Sequence, residues 1–492
     1  MENPVTVSRS TMLCAGIGFT VAALGACNDS PFGGITDTIS ASIVTGDTTL
    51  FVDENAVFTA QAVYGLGPGF PTSIQWGVSD ATKLRVTVLN DLSGNVVALD
   101  TGAAWVVARI NVDFVDSAEV VVVAPGLVRW RATVAGGLGL YPAVGLIDST
   151  VRVSGVGTTL ATFGLSGTAG PTAANTCNGY YGPSVGDDGT VYLSGNDCTR
   201  RHAVDLGVSW TAPVGDAEGS VAVAANGDAI VLHSEANAVV VSRLAVATGT
   251  EVWRDTLKAT GLAQQSSLAI AANGEIYVAW RAPADSSWLT RIGGDGSPRW
   301  VIELPAWPHL VGPAVSGNRV LVTYLGGISV VDTAGGAPVW SRQFSQDDPG
   351  APGDVQPSPP VVDRFGNVYV QTVRALHSYT ADGAPRWTAD SLGGGSPAGG
   401  VGAPTVLTDT TVVIGRGGSR VCGVSGGTGV PRWCSASLTG AGDLLGGATV
   451  GPDRTIYVTR TGGELIALWN ATGAEFGAWS TEGGNHQRTR RR

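Results

Sequence analysis

Hydrophobic positions in this chain fall in short β-prone runs separated by glycine-rich turns, a pattern of many short strands. Between Ile39 and Val123 seven such runs follow one another with no helical periodicity: Thr49–Val52, Val57–Ala60, Ile74–Trp76, Arg85–Val88, Val96–Leu99, Trp105–Ala108 and Glu119–Val122. Seven strands in so short a segment predict a small β-sandwich over residues 39–124.

From residue 126 the pattern repeats. An apolar strand after a turn recurs as Thr150–Val153, Thr190–Leu193, Ala229–Leu232, Glu275–Val278, Arg319–Val322, Asn367–Val370, Thr411–Ile414 and Thr455–Val458. The mean spacing of these strands is about 44 residues, the size of a four-stranded propeller blade. A second element keeps the same period, a turn followed by a strand that ends in tryptophan: Trp210, Trp253, Trp300, Trp340, Trp387, Trp433 and Trp479, with Trp130 ahead of the series. The prediction is an all-β chain with an eight-bladed propeller over 126–480, seven blades being the alternative. The first unit lacks a closing tryptophan near residue 172, so Trp130 is expected in a strand that pairs with the last blade and closes the ring.

The N-terminal pattern differs. Arg9 precedes an apolar stretch from Met12 to Ala26 that ends in Leu24-Gly25-Ala26-Cys27. A run of about 15 residues is short for a membrane span and suits a signal-peptide core. Residues 1–26 read as a signal, 27–38 as a flexible tether, and 481–492, with Arg488, Arg490, Arg491 and Arg492, as a disordered basic tail. The Leu-Gly-Ala-Cys run resembles the bacterial lipobox, which implies acylation of Cys27 and anchorage to a membrane. Asn28 follows the cysteine where an inner-membrane retention signal of the enterobacterial kind has Asp. By that analogy the outer membrane is favoured, with the periplasmic or surface face left open.

Composition narrows the partners. Lys+Arg 29 against Asp+Glu 40 gives a net charge of −11, so the body of the chain has no electrostatic reason to seek nucleic acid. Four cysteines remain beyond Cys14 and Cys27, in two local pairs. In an oxidising compartment they read as disulfides Cys177–Cys198 and Cys422–Cys434. Zinc-ligand spacing is absent.

Two further resemblances rest on particular residues. The run Ile74-Gln75-Trp76-Gly77-Val78-Ser79-Asp80, followed by Gly94–Leu99 and Gly102-Ala103-Ala104, resembles bacterial Ig-like domains of the second group. That likeness implies a spacer or adhesive module with Trp76 in a core that has no disulfide. The runs Thr248–Trp253, Asp295–Trp300, Asp382–Trp387 and Thr428–Trp433 resemble the PQQ-type repeat, in which the tryptophan docks each blade onto its neighbour. Quinoprotein dehydrogenases share that repeat and carry their cofactor over the propeller axis beside calcium. A lipidated propeller of this kind also resembles the BamB-type lipoproteins of outer-membrane β-barrel assembly, from which the Ig-like module departs.

Catalytic signatures are missing from the sequence. It contains no adjacent cysteine pair, haem-attachment motif, Gly-x-Ser-x-Gly elbow or P-loop. Asp187 and Asp188 read as turn residues, and Gln346–Gly350 with Asp354 as a solvated loop. His202, His233, His309 and His377 are scattered without ligand spacing. Aromatics outside the repeat position are Tyr180, Tyr181, Trp288 and Trp307, candidates for a partner patch. The expectation is a non-catalytic binding platform in the cell envelope with no cofactor, whose partner is an envelope protein. The alternatives are a surface adhesin or glycan-binding protein, and a PQQ-dependent enzyme.

Overall fold

The computed structural model describes residues 40–491 apart from short stretches, of which 64–73, 258–263, 348–356 and 393–401 are the longest. The expected signal, Cys27 and the tether lie outside the described residues. Contacts divide the chain into two units, Met1–Ala124 and Pro125–Arg492.

The first unit is a β-sandwich. One sheet orders Ser40–Ile43, Asn55–Val63, Ser93–Ala98 and Leu84–Asn90; the other orders Thr48–Phe51, Phe114–Val123, Gly102–Ile110 and Gln75–Val78. Alternation along the strands decides what faces inward: Ala104, Val106 and Ala108 are buried, whereas Ala103 and Trp105 on either side of Ala104 are exposed. The inward set, with Phe58, Leu84, Val96 and Val120, fills the space between the sheets. Trp76 packs against this core over Gly94, where a Cβ would sit 3.2 Å from the indole ring.

The second unit holds eight four-stranded antiparallel sheets among its described residues. Numbered in ring order, their innermost strands begin at Ala143, Ser184, Ala222, Gln264, Ala314, Val361, Thr405 and Leu444. The second sheet shows the plan: Ser184–Val185 innermost, then Val191–Ser194, Cys198–His202 and, outermost, Val208–Pro213. Middle strands are buried on both faces, and outer strands such as Glu251–Leu257 alternate because one face meets solvent. Neighbouring innermost strands touch in cyclic order, the last meeting the first. The unit is thus a closed β-propeller. Its eighth sheet takes its outer strand, Val128–Thr133, from the start of the unit, and this strand pairs with Glu464–Leu468. Closure by pairing the two ends of the chain leaves no open radial seam.

One module joins sheet to sheet. Each outer-strand tryptophan lies over a positive-φ glycine in the turn between the third and fourth strands of the next sheet. A Cβ on Gly249 would come within 2.6 Å of the Trp210 ring, and one on Gly383 within 2.5 Å of Trp340. Glycine is required at these turns twice, for the left-handed backbone and for the close approach. The indole N–H then donates to a carbonyl of the same turn: Trp210 to Val246 at 2.9 Å, Trp253 to Gly294 at 3.1 Å and Trp387 to Gly426 at 3.1 Å. Trp300 and Trp340 do likewise. At the ring closure Trp130 donates to Leu165 at 2.8 Å over Gly167, while Trp433 lies over Gly126. A β-bulge falls between the tryptophan's ladder partner and the turn, as between Arg291 and Ile292 opposite Trp300, and aims the ring outward onto the neighbour.

The junction of the first and second sheets departs from this plan. Pro171 occupies the position that carries tryptophan elsewhere, four residues after the turn glycine Gly167 as Trp300 follows Gly296. Leu206, with φ of 68°, occupies the turn position that carries glycine elsewhere. Its side chain packs with Leu160, Val191, Leu193 and Ala173, so the filling group comes from the turn instead of the strand. The disulfide Cys177–Cys198 ties the same junction, joining the segment after Ala169–Ala174 to the strand Cys198–His202. The second disulfide, Cys422–Cys434, joins two ladder partners within the seventh sheet.

Two outcomes test this account. Trp340→Ala lowers stability by about 3–5 kcal/mol, the range for emptying a buried aromatic site, as read by urea unfolding. Pro171→Trp alone is destabilising because Leu206 occupies its landing place, and adding Leu206→Gly recovers the loss. Strict additivity of the two changes in a double-mutant cycle would show that the positions are not complementary.

Candidate functional site

A propeller presents its axis and its turn faces to ligands, so the side chains there decide what it can do. The turns between first and second strands carry a recurring acidic residue held inside its own sheet. Asp188 pairs with Arg201 at 2.9 Å, Asp228 with Arg243 at 2.8 Å, Glu275 with Arg291 at 2.9 Å and Asp409 with Arg432 at 2.9 Å. Asp148 with Arg152 and Asp453 with Arg129 repeat the arrangement. Asp363 instead accepts from Asn367 and the Tyr369 hydroxyl. Burial works against the Asp188 carboxylate, but bonds from Thr190 and the charge of Arg201 outweigh it and hold the group below its ordinary pKa. These acids therefore build turns, as the reading of Asp188 anticipated. Asp187 beside it does something else: it faces Arg491 at 2.6 Å.

That contact belongs to a segment that crosses the axis. After the last strand of the eighth sheet, Glu464–Leu468, Gly473 and Ala474 run along the innermost strand of the seventh sheet, where Thr408 N–H donates to Gly473 at 3.0 Å. Val362 N–H donates to Trp479 at 2.8 Å and Val406 N–H to Ser480 at 2.7 Å. Further along, Val223 N–H donates to Thr489 at 2.8 Å, and Arg491 bridges Ile270 in parallel. Val406 lies in the seventh sheet and Val223 in the third, which stand opposite in the ring, with Val362 and Ile270 in the sixth and fourth. Thr481 thus lies at the seventh sheet and Thr489 at the third, on opposite sides of the axis.

Two sequence expectations change here. Trp479 is not an outer-strand tryptophan: it is 2% exposed in the core with Val362, Val370, Phe344 and Tyr379. Trp130 holds the outer-strand place in the eighth sheet, because that strand comes from the start of the unit. The described residues of 481–492 are not a free tail either, since Thr489 is fully buried and Thr481 bonds Thr405 at 3.1 Å. Long-range pairing with inner strands leaves no local sequence pattern, which is why the basic composition alone suggested a solvated end.

The other candidate residues are structural. Burial depresses the pKa of His202 and His233 below the ordinary imidazole value, leaving both neutral at pH 7. His202 Nδ1 bonds the Leu206 carbonyl at 3.0 Å and His233 Nε2 bonds Ser242 Oγ at 3.0 Å. His377 stacks between Phe344 and Tyr379. Trp288 is half-buried against Trp280, within the core between the third and fourth sheets. Tyr180, Tyr181, Trp307, His309, Asp348 and Asp354 lie outside the described residues, and Gln346 and Asp347 end a short helix, Phe344–Asp347. Among the described residues one group of metal-ligand types converges, Cys177, Asp197 and Cys198, and its two sulfurs are joined to each other.

A quinone with calcium over the axis does not fit this arrangement. The inner strands are paired to the chain's own segment, Asp187 is matched by Arg491, and Asp188 by Thr190 and Arg201. Glu475, in the same segment, is taken up by Arg364, whose backbone N–H donates to it at 2.8 Å.

Glu475 gives the segment a pH dependence. Burial, reinforced by Asp363, raises its carboxyl above the ordinary glutamate pKa against the pull of Arg364. The folded state thus binds the proton more tightly than the unfolded state, so Glu475 costs nothing when protonated in both and becomes destabilising as pH rises through its raised pKa. Glu475→Gln is expected to raise Tm at neutral pH, with the gap closing by about pH 3.5. A gap that stays constant across that window would contradict the assignment.

The comparisons with known proteins agree with this geometry. A family model described as outer membrane protein assembly factor BamB matches residues 236–436. BamB from Moraxella catarrhalis superposes with a TM-score of 0.51 at 11% identity, covering 70% of this chain and 99% of that one. A europium-containing methanol dehydrogenase gives 0.54 at 13%, covering 70% and 93%. The quinohemoprotein alcohol dehydrogenase from Comamonas testosteroni gives 0.54 at 11%, covering 71% and 78%. No curated protein matches by sequence. At these identities the likeness to solved structures is one of fold, and residues 125–492 form a β-propeller of the PQQ-like repeat type.

Proposed function

We propose that this chain is an exported, lipid-anchored, non-catalytic binding platform of the bacterial cell envelope, with Cys27 as the acylated residue and an envelope protein as partner. The observation that carries the non-catalytic reading is the axis: its inner strands and Asp187 are engaged by the chain's own C-terminal segment. What remains for recognition is surface. The match to a family described as an assembly factor supports a protein partner. Leu24-Gly25-Ala26-Cys27 supports the anchor, and two disulfides suit an oxidising compartment. Among the described residues no helix is long and apolar enough to cross a membrane. Multiple acyl chains on one cysteine anchor stably where a single chain binds marginally.

Expression in a bacterial host with an outer membrane tests both halves. The wild-type chain should incorporate an alkyne-labelled fatty acid and sediment with outer-membrane vesicles, and Cys27→Ser should lose both. In-cell cross-linking followed by mass spectrometry should then recover β-barrel assembly components. An unlabelled wild-type chain would refute the anchor. Saturable PQQ binding in the presence of calcium would refute the non-catalytic reading.

A further inference from the structure

The two ends of the axis-crossing segment are held in different ways. At the first, Trp479 is sunk among Val362, Val370, Phe344 and Tyr379, and Ser480 and Thr481 bond the seventh sheet. At the second, the grip is main-chain pairing, one buried hydroxyl and one charge: Thr489 with Val223 and, through its side chain, with Asn485 at 2.7 Å, Arg491 with Ile270, and the Arg491 guanidinium on Asp187. Main-chain pairing to a strand edge accepts almost any sequence, whereas an aspartate selects a basic side chain. The Asp187 side chain is 62% exposed, so this pair is open to water and to a competing cation from the aspartate side. Arg491 also forms part of the wall of a cleft of ≈ 260 Å³ between the third and fourth sheets. Its other walls are chiefly aliphatic, including Ala224, Ala225, Ile230, Ile270 and Ile276.

We propose that the edge formed by Val223 and Ile270, together with Asp187, is a docking site for an extended basic segment of a partner protein. Thr489 and Arg491 are its resident occupants, tethered through Trp479 and exchangeable at the far end. The partner segment carries an Arg or Lys for Asp187 and an aliphatic side chain beside it for the cleft. A resident competitor on a short tether has a high local concentration, so only a partner that adds the aliphatic contact displaces it. This edge is one surface of the binding platform proposed above and depends on that reading. Acylation and cross-linking read the whole chain, however, whereas the test below reads Asp187 alone, so either can fail without the other.

The full-length chain and a fluorescein-labelled synthetic peptide of residues 482–492 provide the test, read by anisotropy. Arg491→Ala weakens the resident end, so this variant should bind the peptide at least about tenfold more tightly than wild type. Adding Asp187→Asn should abolish that gain. In the Arg491→Ala background, Asp187→Arg should switch preference to a peptide whose arginines are replaced by glutamate, which guards against simple loss of folding in any one variant. Equal binding by wild type and Arg491→Ala, or binding that persists with Asp187→Asn, would overturn the proposal.

Discussion

The indole ring laid over a side-chain-free glycine of the next sheet is the contact from which the propeller's geometry follows. It needs three things at once. A bulge must turn the outer strand's tryptophan toward the neighbour, the facing turn must adopt positive φ, and that turn must lack a Cβ. Because tryptophan and turn belong to different sheets, each unit is completed only by the one after it. A single repeat cannot bury its own outer face, and the ring must close to satisfy its last member. Closure is achieved by moving one strand: Val128–Thr133 brings Trp130 to the last sheet, and Gly126 ahead of it supplies the platform for Trp433.

The first-to-second junction shows what happens when the contact is absent. With Pro171 where other sheets carry tryptophan, the facing turn is freed from its need for glycine, and Leu206 fills the gap from the opposite side. Leucine in the left-handed region costs about 1–2 kcal/mol, which the apolar packing around it offsets. The disulfide at the same junction adds a covalent tie where the aromatic clasp is missing. Cys177–Cys198 and Cys422–Cys434 therefore differ in role although both close short loops, one spanning two sheets and the other fastening a ladder pair.

The same ring determines what is left for function. Acidic turns that might pass for a metal-binding circle are neutralised one by one by arginines of their own sheets. The axis is taken by a segment whose backbone completes the inner strands. A fold shared by assembly factors and alcohol dehydrogenases does not choose between them. The proposed binding role rests on these particular side chains, which are spent on one another.

Much of this was legible in the sequence because it is periodic. The strand-and-tryptophan repeat announced a propeller, alternation announced the sandwich, and the two cysteine pairs lay close enough to suggest local bonds. Trp130 could be read as a ring-closing residue because the first unit lacked its own tryptophan. Trp479 was misread because it shares residue type and spacing with the docking series, and nothing local distinguishes a tryptophan in an outer strand from one sunk at the axis. The arginine-rich end was misread for a related reason: composition reports solvation preference, whereas Thr489 and Arg491 are placed by inner strands more than 200 residues earlier. Local order in this protein follows from side-chain alternation and turn chemistry, which act over a few neighbouring residues. The course of the final segment and the identity of the substitute clasp at Leu206 were decided only when the ring closed, since each depends on groups that closure alone brings together.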